Sequence, residues 1–187
     1  MKEINMSEMP IHIYRLRTDP TLRPYAKMDN PVRSDGTGLF PYLIDSEPCV
    51  LNLKRCNKKL PDLFTAFVNE LFSDKAKEVI SSLKLDVHLH WIDIDVQLKG
   101  QHLQHFQAIT IRKGYHVLNL EKSQHDRMSL WKVVGSVSNW VINPEKVPEL
   151  DLFMCHNSEW MVTQNFKETW ENAGLTGAVF HECEISK

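Results

Sequence analysis

WMVTQNFKETWENAGLTGAVF, from Trp160 to Phe180, is the stretch from which the fold is read. Trp160 to Val162 forms a short extended run, Thr163 stands where a helix N-cap belongs, and Phe166, Trp170 and Ala173 recur on one helical face. Gly174 falls where a left-handed helix C-terminus favours a residue without a β-carbon. Leu175 closes that cap, Gly177 allows a further turn, and Ala178 to Phe180 begins another strand. The stretch holds no evident nucleophile, base or ligand set, so it reads as scaffold.

The same construction occurs earlier, with Ser73 matching Thr163, Lys77 matching Lys167, Glu78 matching Glu168 and Leu85 matching Leu175. A reused strand, cap, helix and strand unit is therefore expected. Ser73 caps a helix that runs through Ile80 and Leu83, and Asp74 sits in the first turn, where helix amides favour an acid. Before it, Leu63, Phe64, Phe67, Val68, Leu71 and Phe72 recur at three and four, which predicts another helix starting at Pro61.

After the Ser73 helix, LDVHLHWIDIDVQL reads as a strand. Ile92, Ile94, Val96 and Leu98 lie on one face, with Asp93, Asp95 and Gln97 on the other. Val87, Leu89 and Trp91 are in the opposite apolar phase, which predicts a bulge or change of partner near Trp91. Further strands are expected at Phe106 to Ile111, Tyr115 to Leu120, Trp131 to Val134 and Leu152 to Cys155. A turn at Lys113-Gly114 joins the first two, and Asn143-Pro144 and Pro148 mark a loop. These elements predict an α+β fold with mixed or antiparallel sheets and a few helices. Thr18 to Pro48 is rich in proline and glycine and is expected to be irregular. Residues 1–59 are read as an irregular, extended N-terminal part and 60–187 as the α+β domain, compatible with one continuous domain.

A chain of 187 residues can bury roughly 70% of its unfolded surface. Apolar content of 42% and charged content of 25% fit an ordinary globular chain. No apolar run approaches the roughly 20 residues that span a bilayer. The N-terminus lacks the continuous apolar core of a secretory signal, so a cytoplasmic location is expected. Cys49, Cys56, Cys155 and Cys183 form no CxxC pair and are read as reduced thiols. A formal charge of −2 weighs against nucleic acid as partner. Arg15, Arg17, Arg23 and Lys27 make the N-terminal arm basic, in the manner of a solvated face.

Nine histidines are the compositional oddity. His88 and His90 share a strand face, and His102 and His105 could share a helical face or a turn. With Asp93, Asp95 or Cys155 they could build a zinc or iron site, although the HxxH spacing lacks the glutamate of the zincin motif. Surface or hydrogen-bonded histidines explain the same residues, and no metal or cofactor is assigned. His181 and Cys183 share a strand face and invite a nucleophile-and-base reading, but a lone Cys near a His is usually only its neighbour. No phosphate loop, dinucleotide fingerprint or GxSxG elbow is present. Trp91, which core packing would equally explain, with Asp93 and Asp95 on the polar strand face and Glu145, Glu149 and Asp151 near the proline loop, are the candidates for binding a protein partner.

KKLPDLF, LFSDKAKEVI, GYHVLNLEKSQHDR and LDLFMCHNSEWMVTQNFKETWENAGLTGAVF, in that order, resemble the Imm class eleven family of bacterial immunity proteins. Pro61-Asp62, Ser73, Tyr115 to Asn119, Glu121 to Ser123, Phe153 and Gly174 to Phe180 carry the likeness, which spans Leu60 to Glu184. Thr163 stands where serine is usual and keeps the cap, and the N-terminal third does not align. The resemblance implies a protein encoded beside a secreted toxin that it binds and neutralises. It implies no enzymatic activity, signature residues that maintain the fold, and specificity carried on variable surface.

Overall fold

The computed structural model describes residues 11–22, 32–33, 49–53, 56, 59–66, 69–111, 113–126, 136–155 and 159–187. In chain order the elements are β1 (Ile13–Thr18), β2 (Val32–Arg33), β3 (Cys49–Leu53), β4 (Leu63–Ala66), β5 (Asn69–Ser73) and α1 (Asp74–Ile80). β6 (Leu89–Leu98), β7 (Gln101–Ile111), β8 (Gln124–His125), β9 (Val137–Asn139) and β10 (Val141–Ile142) follow. A 3-10 turn at Pro144–Lys146 leads to β11 (Leu152–Met154), β12 (Trp160–Thr163), α2 (Gln164–Asn172), β13 (Ala178–Glu182) and β14 (Glu184–Ile185). The fold is α+β, as the sequence predicts.

The Trp160 to Phe180 stretch folds as read. Thr163 Oγ1 accepts the Phe166 amide at 3.3 Å, and Phe166 and Trp170 turn into the core. At the other end Gly174 has φ +61, its N–H donates to Glu171 O and the Leu175 N–H reaches back to Trp170 O. That pair of bonds is the Schellman motif, which satisfies carbonyls the helix leaves unpaired.

The Ser73 junction has the same construction, and each junction holds the other. Ser73 Oγ accepts the Ala76 amide at 3.1 Å and donates to Asp62 Oδ1 at 2.8 Å, just as Thr163 Oγ1 donates to Asp151 Oδ1 at 2.6 Å. The second oxygen of Asp62 accepts the Thr176 amide, in the segment after α2. The second oxygen of Asp151 accepts the Lys84 amide, in the segment after α1. Lys75 Nζ adds a bond from α1 to Ala173 O at the end of α2, where a cation is favoured. This likeness is one of connectivity and hydrogen bonding and does not establish a repeated sequence unit.

Two main sheets carry the molecule. The four-stranded sheet, β11-β12-β1-β13, is antiparallel throughout. The six-stranded sheet, β2-β3-β6-β7-β5-β4, is antiparallel except for the parallel pair β3 and β6. Its core-facing side, with Leu63, Phe72 and Ile109, joins Tyr14, Leu16 and Val162 of the other sheet and Phe166 and Trp170 of α2 in one apolar cluster. The opposite faces bury further clusters, Leu51, Phe64, Leu71, Ile94, Val96 and Phe106 on the larger sheet and Ile13, Phe153, Met161 and Trp140 on the smaller. β1 lies between β12 and β13, and β3 pairs with β6, so strands from the first 59 residues share both sheets with the rest of the chain.

Burial of both faces of the larger sheet around β4, β5 and the first half of β6 accounts for two departures from the sequence reading. The helix expected over Leu63 to Phe72 is a hairpin of β4 and β5, with Leu63 opposite Phe72 and Phe64 opposite Leu71. Leu63 and Phe72 face one cluster while Phe64 and Leu71 face the other, so the two-residue alternation is invisible and helical spacing arises by coincidence. For the same reason no bulge is needed at Trp91. Leu89 and Trp91 pack on the first cluster, Ile92 and Ile94 on the second, and the register shift lies instead between Val96 and Gln97. Tyr115 to Leu120 makes only isolated bridges, Tyr115 with Cys155 and Leu118 with Ile142. α1 ends at Ile80, short of Leu83. The strand expected at Trp131 to Val134 and most of the Thr18 to Pro48 segment lie outside the described residues.

Candidate functional site

On β6 the odd-numbered residues share one face, and what covers that face changes along the strand. Leu89 and Trp91 are packed under the helical layer. The Trp91 ring meets Phe72 edge-on at 5.9 Å, continuing a series through Trp170 and Phe166, and Lys77 Nζ of α1 sits 5.5 Å above it. Lys77 also donates to Gln107 Oε1 at 3.1 Å, and Gln107 stands opposite Asp93. The helix therefore marks an edge, beyond which Asp93 is exposed and Asp95 and Gln97 are half-buried. β3 adds Val50 and Asn52 to this face, opposite Asp95 and Gln97.

β7 contributes two histidines to the same face. His105 stands directly opposite Asp95. His102 is three residues away, and in a regular strand an odd spacing would turn it to the other face. The register shift leaves Leu103 unpaired, with Val96 opposite Gln104 and Gln97 opposite His102, and so restores His102 to the side of His105. His102 Nδ1 lies 2.5 Å from Asp95 Oδ1, Gln97 Nε2 donates to Asp95 Oδ2 at 2.7 Å, and the two imidazole centroids are 4.6 Å apart. The Gln97 amide, opposed by the cost of partial burial and reinforced by His102, holds the Asp95 carboxyl below the usual carboxylate range. Asp95 is the charged centre of an open polar patch on the six-stranded sheet.

Of the sequence candidates, Asp93 and Asp95 lie on this open face and Trp91 at its covered margin. Glu145 and Glu149 are exposed on the separate loop between β10 and β11. Asp151 does not belong with them: it is only 8% exposed, its carboxylate is committed to Lys84 and Thr163, and it serves the junction described above. A cleft of about 510 Å³ near that loop is lined by His116, Leu118, Asn119, Glu121, Asn143 and Lys146. The Asn119 and Asn143 carboxamides already cap their own turns, accepting the Glu121 and Glu145 amides.

His181 and Cys183 are not brought together as base and nucleophile. His181 is exposed, whereas Cys183 lies beyond the end of β13 and is buried, and burial pushes its thiol up to about 12. Such a thiol is protonated at neutral pH. None of the four cysteines forms a disulfide among the described residues.

The model of the immunity protein family Imm11 matches residues 10–185. The chain belongs to the Imm11 immunity protein family. No curated protein matches it. The match includes the N-terminal third, which the sequence reading could not align. The residues that carried the resemblance in the sequence have structural roles in this chain. Pro61-Asp62 docks on Thr176-Gly177, Tyr115 donates to Asp86 Oδ2 at 2.6 Å, and Ser123 Oγ exchanges bonds with both the N–H and the carbonyl of Val141. These positions build the scaffold. No helix among the described residues is long and apolar enough to cross a membrane.

Proposed function

We propose that this chain neutralises a cognate secreted toxin by binding it directly, protecting the cell that makes both. Membership of the immunity protein family supports the activity, and the open face of the six-stranded sheet supports the mode. Asp93, Asp95, Gln97, His102 and His105 present acid, amide and imidazole groups on paired strands, a rigid surface that loses little entropy on binding. A basic or hydrogen-bonding surface is the complement of that patch, and a stable interface would bury on the order of 1,600 Å². Glu145 and Glu149 lie on another part of the chain and are secondary candidates. The toxin is delivered by contact-dependent or type VI-like secretion and meets the immunity protein in the cytoplasm, and the pair is encoded side by side.

The test is co-expression of the toxic domain encoded upstream with and without this protein in a heterologous bacterium, followed by co-purification. Rescue of growth and a stoichiometric complex are expected. An active toxin and a folded chain that neither associate nor rescue would overturn the proposal.

A further inference from the structure

The geometry points to a divalent transition-metal site of the zinc class formed by Asp95, His102 and His105. The ligand atoms of the three side chains lie within 4.8 Å of one another. A four-coordinate zinc ion, with bonds of about 2.1 Å, places its ligand atoms about 3.4 Å apart. Small rotations of exposed imidazoles close that difference, and the 2.5 Å contact between Asp95 and His102 opens to admit the ion.

Three features favour an ion over a simple hydrogen-bonded pair. The bulge at Leu103 brings His102 to the face where His105 already stands opposite Asp95, so that two imidazoles converge on one carboxylate where one would suffice for an Asp–His bond. Gln97 holds Asp95 Oδ2 and leaves Oδ1 directed at the imidazoles, the outer support that orients a metal-bound carboxylate. Two imidazoles with one carboxylate suit zinc, nickel, copper or iron and not the oxygen-seeking magnesium or calcium. The ligands stand on two adjacent, extensively paired strands, which fixes their spacing. With three protein ligands, one position remains for water on the solvent side. The inference does not depend on toxin binding, because the ion alone is the probe.

Tag-free, chelator-treated protein is titrated with zinc by calorimetry, with cobalt absorption reporting coordination. One equivalent of zinc is expected. His102→Ala combined with His105→Ala should abolish that binding, Gln97→Ala should weaken it about tenfold, and His88→Ala with His90→Ala should leave it unchanged. Because His102 and His105 are exposed, the metal-free double variant should melt at the wild-type temperature, which separates loss of ligands from loss of fold. The site is overturned if no equivalent of zinc binds, if binding survives loss of both His102 and His105, or if it follows His88 and His90 instead.

Discussion

Gly177 has φ +94, and a β-carbon there would lie 2.0 Å from Leu63 O and 2.8 Å from Pro61 Cβ. Neither neighbour can yield, since the Leu63 amide is bonded to Thr176 O and Asp62 to Thr176. Gly174 differs: it also has positive φ, but an added β-carbon would meet nothing within 4 Å. Urea unfolding should therefore show Gly174→Ala costing about 1 kcal/mol, the ordinary left-handed penalty, and Gly177→Ala costing more than twice that. Equal costs would mean that the contact between Pro61-Asp62 and Thr176-Gly177 is not tight. Two carboxylates respond to pH in opposite directions. Burial raises the Glu70 pKa more than its bond from Trp160 Nε1 at 3.0 Å restrains it. Its folded form thus favours the proton, and the associated stability is present below the unfolded pKa and lost as pH rises through the folded one. Glu70→Gln keeps an acceptor for Trp160 and should raise the melting temperature at pH 7, with the advantage vanishing in acid. Burial also opposes ionisation of Asp62, but the bonds from Thr176 and Ser73 outweigh it and lower its pKa. Its contribution is present above the unfolded pKa and lost as pH falls through the folded one, so Asp62→Asn should destabilise at pH 7 and matter less in acid.

At the scale of elements, each helix depends on one hydroxyl that accepts from its third amide and donates to an aspartate before the preceding hairpin. Ser73→Ala and Thr163→Ala should each cost about 1–2 kcal/mol in chemical unfolding, the upper range for a cap, because an aspartate also loses a donor. Costs near zero would show that the aspartates do not hold the junctions. Both caps were legible in the sequence, as were the α2 face, the Gly174 terminus and the apolar face of β6, because each follows from local spacing or from one residue's backbone preference. What was not legible has a common cause in tertiary contact. Leu63, Phe64, Leu71 and Phe72 imitate a helix because clusters on both sides of one hairpin claim them. Asp151 looks like a surface acid beside a proline loop until the amide of Lys84, distant in sequence, is placed against it. His102 and His105 suggested a helix or a turn, since three-residue spacing separates strand faces unless a bulge intervenes. Nothing within the hairpin sequence locates that bulge at Leu103 in advance.

At the scale of the molecule, β1 fills the interior of the smaller sheet and β3 pairs with β6, so we propose that the chain folds as one unit. A fragment of residues 60–187 would expose both edges of a split sheet and the buried partners of Ile13 and Leu16, and it should lack cooperative unfolding. A fragment that melted cooperatively near the intact protein would show an independent domain. The division between a scaffold built by Asp62, Ser73, Asp151, Thr163 and Gly177 and an open face carrying Asp93 leads to one decisive comparison. Asp93→Lys and Glu149→Lys reverse charge at two exposed positions on different parts of the chain, and each is co-expressed with the toxic domain and tested for rescue, complex formation and melting temperature. Recognition through the sheet face predicts that Asp93→Lys loses rescue and complex while melting normally, and that Glu149→Lys retains both. Full protection by Asp93→Lys with failure of Glu149→Lys would contradict it and move the toxin to the loop between β10 and β11.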